Sequence, residues 1–150
     1  MSEPVLIRVH SSLMPVSSGE ASLPEEFRFE ARGFLRLVSG VRHILYEEAA
    51  DEAGAVTKTH LILRDLCVEI RRSGSTESAF CFRENEVTEA LYRTPYGSIP
   101  MQIRTRRLSV RDFGQEIRVE IGYDILSGEQ TVSRAEITVA AGPAASASRQ

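Results

Sequence analysis

Hydrophobic and charged residues alternate along the segment from Ile117 to Ile125. The apolar set is Ile117, Val119, Ile121, Tyr123 and Ile125, and Glu116, Arg118, Glu120 and Asp124 precede or separate its members. A period of two places the apolar side chains on one face of an extended strand and the charged ones on the other. The segment is therefore predicted to be an antiparallel strand with one buried face and one face in water.

Similar strand patterns recur along the chain, separated by short breaks rich in polar residues or glycine. The predicted strands are 4–13, 26–38, 41–48, 56–64, 66–72, 79–83, 87–94, 97–110, 115–126 and 131–139. Segment 87–94 also has the spacing of a short helix, but Pro95 and Gly97 end it where a hairpin would turn, which favours a strand. The sequence predicts nine or ten antiparallel strands.

Three irregular segments interrupt these patterns. Phe34 follows Gly33 out of phase, which predicts a bulge or a sharp bend, and Arg106-Arg107 predicts a second bulge. The stretch from Met14 to Pro24 is rich in serine and proline and too long for a tight hairpin. It is predicted to be the longest loop and a candidate gate for a binding site.

The two cysteines fall on either side of a predicted hairpin turn at 73–75. A register centred on Gly74 places Val68 opposite Phe80, with apolar side chains on one face, and Cys67 opposite Cys81. A disulfide there would need strained geometry and an oxidising compartment. The sequence favours two neighbouring free thiols, and no Cys/His spacing predicts a metal site.

The strand pattern limits the possible architectures. A chain of 150 residues with 42% hydrophobic content fits a single domain, predicted here over residues 1–140. Without helices to cover a flat sheet, an all-β antiparallel closed barrel of about 8–10 strands buries one apolar face and removes the sheet edges. A two-sheet sandwich is the alternative. Residues 141–150 show no period and are predicted to be a disordered tail.

Charge and hydropathy exclude some classes of protein. No apolar stretch approaches the ~18 residues of a membrane span, and the segment Met1 to His10 lacks the features of a signal peptide, so a cytoplasmic protein without a membrane partner is expected. The net charge of −3 makes nucleic acid an unlikely main partner. The sequence predicts no cofactor and does not determine the oligomeric state.

Several segments, in their order and spacing, resemble the YwiB-like family of small bacterial proteins of unknown function. They are Gly33-Phe34, Leu45-Tyr46-Glu47-Glu48, Arg72-Ser73-Gly74, Leu91 to Ile99, Ile103-Arg104-Thr105 and Ile121 to Ile125. The resemblance extends from about Val5 to Val139. It implies a calycin-like, lipocalin-like β-barrel, and it implies no activity, substrate or catalytic residue.

Candidate catalytic and metal-binding groups are sparse. His10, His43 and His60 lie on different predicted strands; they could bind a metal if all three met Glu47 or Asp51 in one cavity, but scattered exposed histidines fit better. Glu47 and Glu48 are adjacent in a strand, so they point to opposite faces and cannot form one acid–base pair. No catalytic or metal-binding residue is assigned.

Two binding surfaces remain. A small barrel can hold one ligand, and the predicted ligand-binding residues are Tyr46, Tyr96 and Tyr123, which could present hydroxyl groups at a mouth, with Gly33 and Met101. A core filled by the large inward residues is the competing interpretation.

The outer wall offers the second surface, because Arg104, Arg106, Arg107 and Arg111 could contact phosphate or acidic protein. A mixed-charge exterior with cross-strand ion pairs explains the same arginines. The sequence thus predicts first a barrel that binds a small, partly apolar ligand, second a protein or nucleic-acid interaction module, and third an enzyme.

Overall fold

The computed structural model describes residues 2–16, 24–48, 54–74 and 76–143. Ten strands make up the fold. They are β1 (Ser2–Pro15), β2 (Glu25–Val38), β3 (Val41–Glu48), β4 (Thr57–Leu63), β5 (Val68–Ser73), β6 (Glu77–Phe82), β7 (Val87–Thr94), β8 (Gly97–Asp112), β9 (Ile117–Ser127) and β10 (Gln130–Pro143).

The ten strands form one closed antiparallel barrel. Each strand pairs with its neighbours in sequence, and β10 returns to pair with β1, with Val9 opposite Val139. The predicted all-β closed barrel is confirmed, and the sandwich alternative is wrong. The described residues contain no helix of the length and hydropathy needed to cross a membrane.

The barrel extends beyond the predicted ends of two strands. β10 continues to Pro143, and Ala141 is only 2% exposed opposite Ile117 and Ile7, so residues 141–143 of the predicted tail are part of the barrel. Residues 144–150 lie outside the described residues. Met14 and Pro15 belong to β1, and residues 17–23 of the predicted gate also lie outside the described residues.

The β5–β6 hairpin has a different register from the predicted one. Val68 pairs with Phe82 instead of Phe80, and Cys81 pairs with Glu69 instead of Cys67. A shift of two residues preserves which side chains share a face, and for that reason the apolar pattern alone could not detect it. Both cysteines are free thiols, and burial followed by the neighbouring Cys81 raises the pKa of Cys67.

Of the two predicted bulges, one is present. The β8–β9 register shifts between Thr105 and Arg107, which confirms the bulge at Arg106. The prediction of a bulge at Gly33 is wrong, because β2 pairs there with both β1 and β3 without a register shift. Phe34 simply points outward, and it is half exposed.

Branched and aromatic side chains fill the middle of the lumen. The largest side chains with almost no exposure are Phe82, Ile7, Ile44, Leu61, Ile103, Ile121, Val68, Val119 and Val139. Because each comes from the inward face of its strand, they meet in one continuous core. A ligand therefore has no room at the centre of the barrel and would have to bind nearer an end.

Candidate ligand site at the distal end of the barrel

The two ends of the barrel differ in which strands finish there. We call the end of the barrel at which the odd-numbered strands finish the distal end. At the opposite, proximal end, β1 begins at Ser2 and β10 finishes at Pro143. A row of cross-strand partners near the distal end consists of Gly33, Tyr46, Thr59, Arg72, Ser78 and Tyr92. Gly33 also pairs with the buried Val5, and paired residues share a face, so this row faces inward.

Four inward residues, Tyr46, Glu48, Thr59 and Arg72, form what we call the distal polar cluster. Arg72 Nη2 donates a hydrogen bond to Glu48 Oε2 at 2.6 Å, and Thr59 Oγ1 donates to the same oxygen at 3.4 Å. The Arg72 side chain is 48% exposed and that of Glu48 is 25% exposed. An ion pair between partly solvated groups is weak, so a bound anion can compete with Glu48 for the guanidinium.

Two tyrosines contribute phenol groups at this end. Burial, and then the charge of Glu48, raises the pKa of Tyr46 to about 12, despite opposing effects of Thr59 and Arg72. Burial also raises the pKa of Tyr123, with Arg72 acting in the opposite direction. Both phenols are therefore protonated at neutral pH and act as hydrogen-bond donors rather than as bases or nucleophiles.

The cluster borders a cavity of about 620 Å³. Four residues of the inward row line it, namely Gly33, Tyr46, Thr59 and Arg72. The rest of the lining comes from the outward faces of β2 to β5, namely Arg32, Phe34, Leu45, Glu47, Lys58, His60, Arg71 and Ser73. The cavity lies where the β2–β3 ladder ends, since Gly33 and Tyr46 form the last pair on that side. Its volume falls within the range of about 300–1,000 Å³ that is usual for small-molecule sites.

The structure groups only some of the predicted ligand-binding residues. Tyr46 and Gly33 are paired neighbours at the cavity, and Tyr123 points inward toward Arg72. Tyr96 lies instead in the β7–β8 turn and is 98% exposed. Met101 lines a separate groove of about 680 Å³ between the β7–β8 and β9–β10 hairpins.

The sequence interpretation did not include Glu48, Thr59 or Arg72 among the site residues. The alternation of side chains along a strand could have indicated Glu48, because it lies two residues after Tyr46 and therefore points to the same face. Arg72 likewise lies two residues after the buried Ile70. A charged residue on the apolar face of a strand, close to the strand end, was the feature that could have identified them.

Comparison with known proteins identifies the family. The sequence matches the family described as Domain of unknown function (DUF1934) over residues 13–139. The chain belongs to the DUF1934 family. The crystal structure of the ywiB protein from Bacillus subtilis is similar to this DUF1934 chain at 22% identity, covers 94% of this chain and 93% of its own, and gives a TM-score of 0.75. At that identity the likeness shows the fold, and no curated protein matches the chain.

Two of the three histidines of this DUF1934 chain touch on the outer wall. His43 Nδ1 lies 2.8 Å from His60 Nε2, and the ring centroids are 5.0 Å apart. The expectation of scattered histidines therefore holds only for His10, which contacts Glu26 at 3.3 Å. Across the described ranges, no three His, Cys, Asp or Glu side chains are grouped as metal ligands. Asp51 lies outside the described residues.

The histidine pair predicts a pH-dependent stability. Burial, followed by the charges of His43, Arg71 and Arg36, lowers the pKa of His60, and Glu69 opposes the shift. The unfolded chain therefore takes up this proton at a higher pH than the folded chain. Stability is expected to fall as the pH decreases through the ordinary histidine pKa toward the lower folded value, as measured by urea unfolding between about pH 7.5 and pH 5.

A matched pair of variants isolates this effect. His60→Gln should flatten the decrease in the free energy of unfolding over that pH range, whereas His10→Gln should not flatten it. Equal slopes for wild type and His60→Gln would show that the histidine pair makes no contribution.

The arginine-rich outer wall is largely neutralised by acidic residues. Arg106 Nε donates to Asp124 Oδ1 at 2.8 Å, and Arg107 pairs with Glu136 at 2.9 Å and Glu120 at 3.3 Å. Arg104 lies 3.8 Å from Asp124. The wall is thus the mixed-charge exterior that the cross-strand pattern predicted, and only Arg111 of the four arginines has no ion pair with a described residue.

Proposed function

We propose that this DUF1934 domain binds a small, partly apolar ligand at the distal polar cluster. The observation that carries the proposal is a cavity of about 620 Å³ at the end of the β2–β3 ladder. Tyr46, Thr59 and Arg72 of the distal polar cluster line it, and Arg72 is ion-paired with Glu48. Binding sites commonly combine apolar walls with a few convergent polar groups. The cavity contains both kinds of group, with Phe34, Leu45 and the Tyr46 ring as apolar surface and Thr59, His60 and Arg72 among its polar groups.

The chemistry of the cluster favours a ligand with an anionic or hydrogen-bond-accepting group. Arg72 presents a partly exposed guanidinium, which is suited to carboxylate or phosphate oxygens. Tyr46, which lines the cavity, supplies a protonated phenol as a donor. Phe34 and Leu45, which also line the cavity, offer apolar contacts.

Binding explains these groups better than catalysis does. A reaction by general acid–base or nucleophilic chemistry needs a group whose pKa lies near neutrality or an activated nucleophile. The raised pKa values of Tyr46 and Tyr123 keep both phenols protonated. His60, the imidazole in the cavity lining, has its Nε2 2.8 Å from His43 Nδ1, so that nitrogen already has a partner. The calycin-like barrel that the family resemblance implies adds support from fold analogy alone.

Native mass spectrometry of the protein as purified from cells tests the proposal. We expect an additional mass that is retained under native conditions and released on denaturation. If no such mass is found, and no compound of a metabolite panel raises the thermal midpoint, the proposal is wrong.

A pair of variants then locates the site. Arg72→Met should weaken ligand binding at least about tenfold, because a hydrogen bond to a charged group contributes about 1.5–3 kcal/mol. Arg107→Met is the control, since Arg107 has the same side-chain exposure of 48% and pairs with Glu120 and Glu136 away from the cavity. A ligand released equally by both variants would lie outside the cluster.

A further inference from the structure

β2 is longer than the ladder it forms with β3. The two strands pair only over residues Gly33–Val38 of β2, whereas β2 begins at Glu25. From Glu25 to Arg32 the strand pairs with β1 along one edge, and no strand of the described residues pairs with its other edge. An extended edge of this kind is a template for pairing with another chain.

The side chains along this edge form a regular pattern. Glu26, Arg28, Glu30 and Arg32 alternate in charge on the outer face. The inner face carries Phe27, Phe29 and Ala31, and Phe27 is 59% exposed. Glu30 and Arg32 have no ion pair or side-chain hydrogen bond with any residue that the structure describes.

We infer that a second copy of this chain docks on this edge, so that the two β2 strands pair antiparallel about a two-fold axis at Phe29. Such an interface uses the same surface on both copies, as two-fold symmetry requires. The inference does not rest on ligand binding, although Arg32 of the paired stretch also lines the cavity of about 620 Å³.

The charge pattern and the length of the paired stretch together select this register. Inward residues must face inward residues, so the axis passes through a single residue of β2. An axis at Arg28 or at Glu30 would place arginine opposite arginine or glutamate opposite glutamate, which is unfavourable. An axis at Phe29 places Glu26 opposite Arg32 and Arg28 opposite Glu30, twice each by symmetry. An axis at Phe27 or at Ala31 also pairs unlike charges, but it pairs only residues 25–29 or 30–32 of the edge, whereas the axis at Phe29 pairs residues 26–32.

The same register also matches the apolar face. Phe29 of one copy would lie opposite Phe29 of the other, and each exposed Phe27 would lie opposite an Ala31. Aromatic pairs across strands stabilise sheets, and the small alanine leaves room for the phenylalanine ring. The exposed phenylalanine would thereby lose contact with water.

Charge-reversal variants test the inference by sedimentation or light scattering at about 10–100 μM protein. The wild type should have twice the 16.7 kDa chain mass. Arg28→Glu places glutamate opposite Glu30, and Glu30→Arg places arginine opposite Arg28. Each reversal acts at two symmetric positions and should weaken the dimer at least about tenfold.

Mixing the two single variants provides the decisive measurement. In a mixed dimer, both acidic positions of Arg28→Glu face both basic positions of Glu30→Arg, so the mixture should form a heterodimer although each variant alone is monomeric. This rescue also shows that both variants are folded. The double variant Arg28→Glu/Glu30→Arg should regain the homodimer.

Arg111→Glu serves as the control, since Arg111 is an exposed arginine of β8 on another part of the wall. It should leave the mass unchanged. A monomeric wild type at these concentrations would overturn the inference. A dimer that persists in both single variants, or a mixture that stays monomeric, would overturn it as well, because the dimer would then use another surface or register.

Discussion

Replacing Gly33 with valine is expected to lower the free energy of unfolding by about 3 kcal/mol or more. A Cβ atom at position 33 would overlap the carbonyl oxygen of Leu45 in the paired strand and lie 2.5 Å from Ile7 Cδ1. Backbone in a paired strand cannot move aside without breaking its ladder. The β2–β3 ladder that closes the barrel would therefore have to separate at this point.

Urea unfolding with Gly142→Ala as the control measures this effect. A Cβ atom at Gly142 would meet Gln115 O at 3.6 Å and Glu116 Cβ at 3.9 Å, which are ordinary contacts. The control should therefore change stability by no more than about 0.5 kcal/mol. If Gly33→Val and Gly142→Ala changed the free energy of unfolding by similar amounts, that result would contradict a close approach of β3 to Gly33.

Asp124→Asn is expected to cost about 2–3 kcal/mol of stability, because it removes the carboxylate that neutralises three arginines. The Asp124 side chain is only 5% exposed; Arg106 lies at 2.8 Å, and Arg104 and Arg134 at 3.8 Å. Without the carboxylate, the three guanidinium groups repel one another. Part of the loss should be recovered in about 1 M salt, which screens that repulsion.

Asp112→Asn is the matched control for this charge removal. Asp112 also accepts a hydrogen bond from an arginine, Arg42, at 2.8 Å, but its side chain is 52% exposed. An exposed pair of this kind contributes about 0–1 kcal/mol. If Asp124→Asn and Asp112→Asn unfold at the same urea concentration, the buried ion pairs of Asp124 contribute no more to stability than the exposed pair of Asp112.

Much of the barrel could be predicted from local sequence patterns. The period of two around Val119 and Ile121 predicts β9, and Pro95 and Gly97 mark the turn that ends β7. The out-of-phase residue Arg106 predicts a bulge that the structure contains. Gly33 gave the wrong prediction, since a glycine in a strand indicates either a bulge or a close approach of another backbone, and local sequence does not distinguish them.

The candidate site was predicted only in part. Tyr46 was identified because a tyrosine combines an apolar ring with a hydroxyl, and it lies at the cavity. Glu48 and Arg72 are 24 residues apart, and only the β3–β4 and β4–β5 registers bring them together. The sequence also could not show that His43 and His60 touch, since that contact depends on the β3–β4 pairing.

The sequence by itself determined which residues form strands and which face of each strand is apolar, because both follow from neighbours one or two positions away in the chain. The tertiary structure decided closure, register and the grouping of polar side chains. A shift of two residues, as in the β5–β6 hairpin, leaves every side chain on the same face. Local hydrophobic pattern does not distinguish such registers, whereas packing of the closed barrel and contacts between distant residues do.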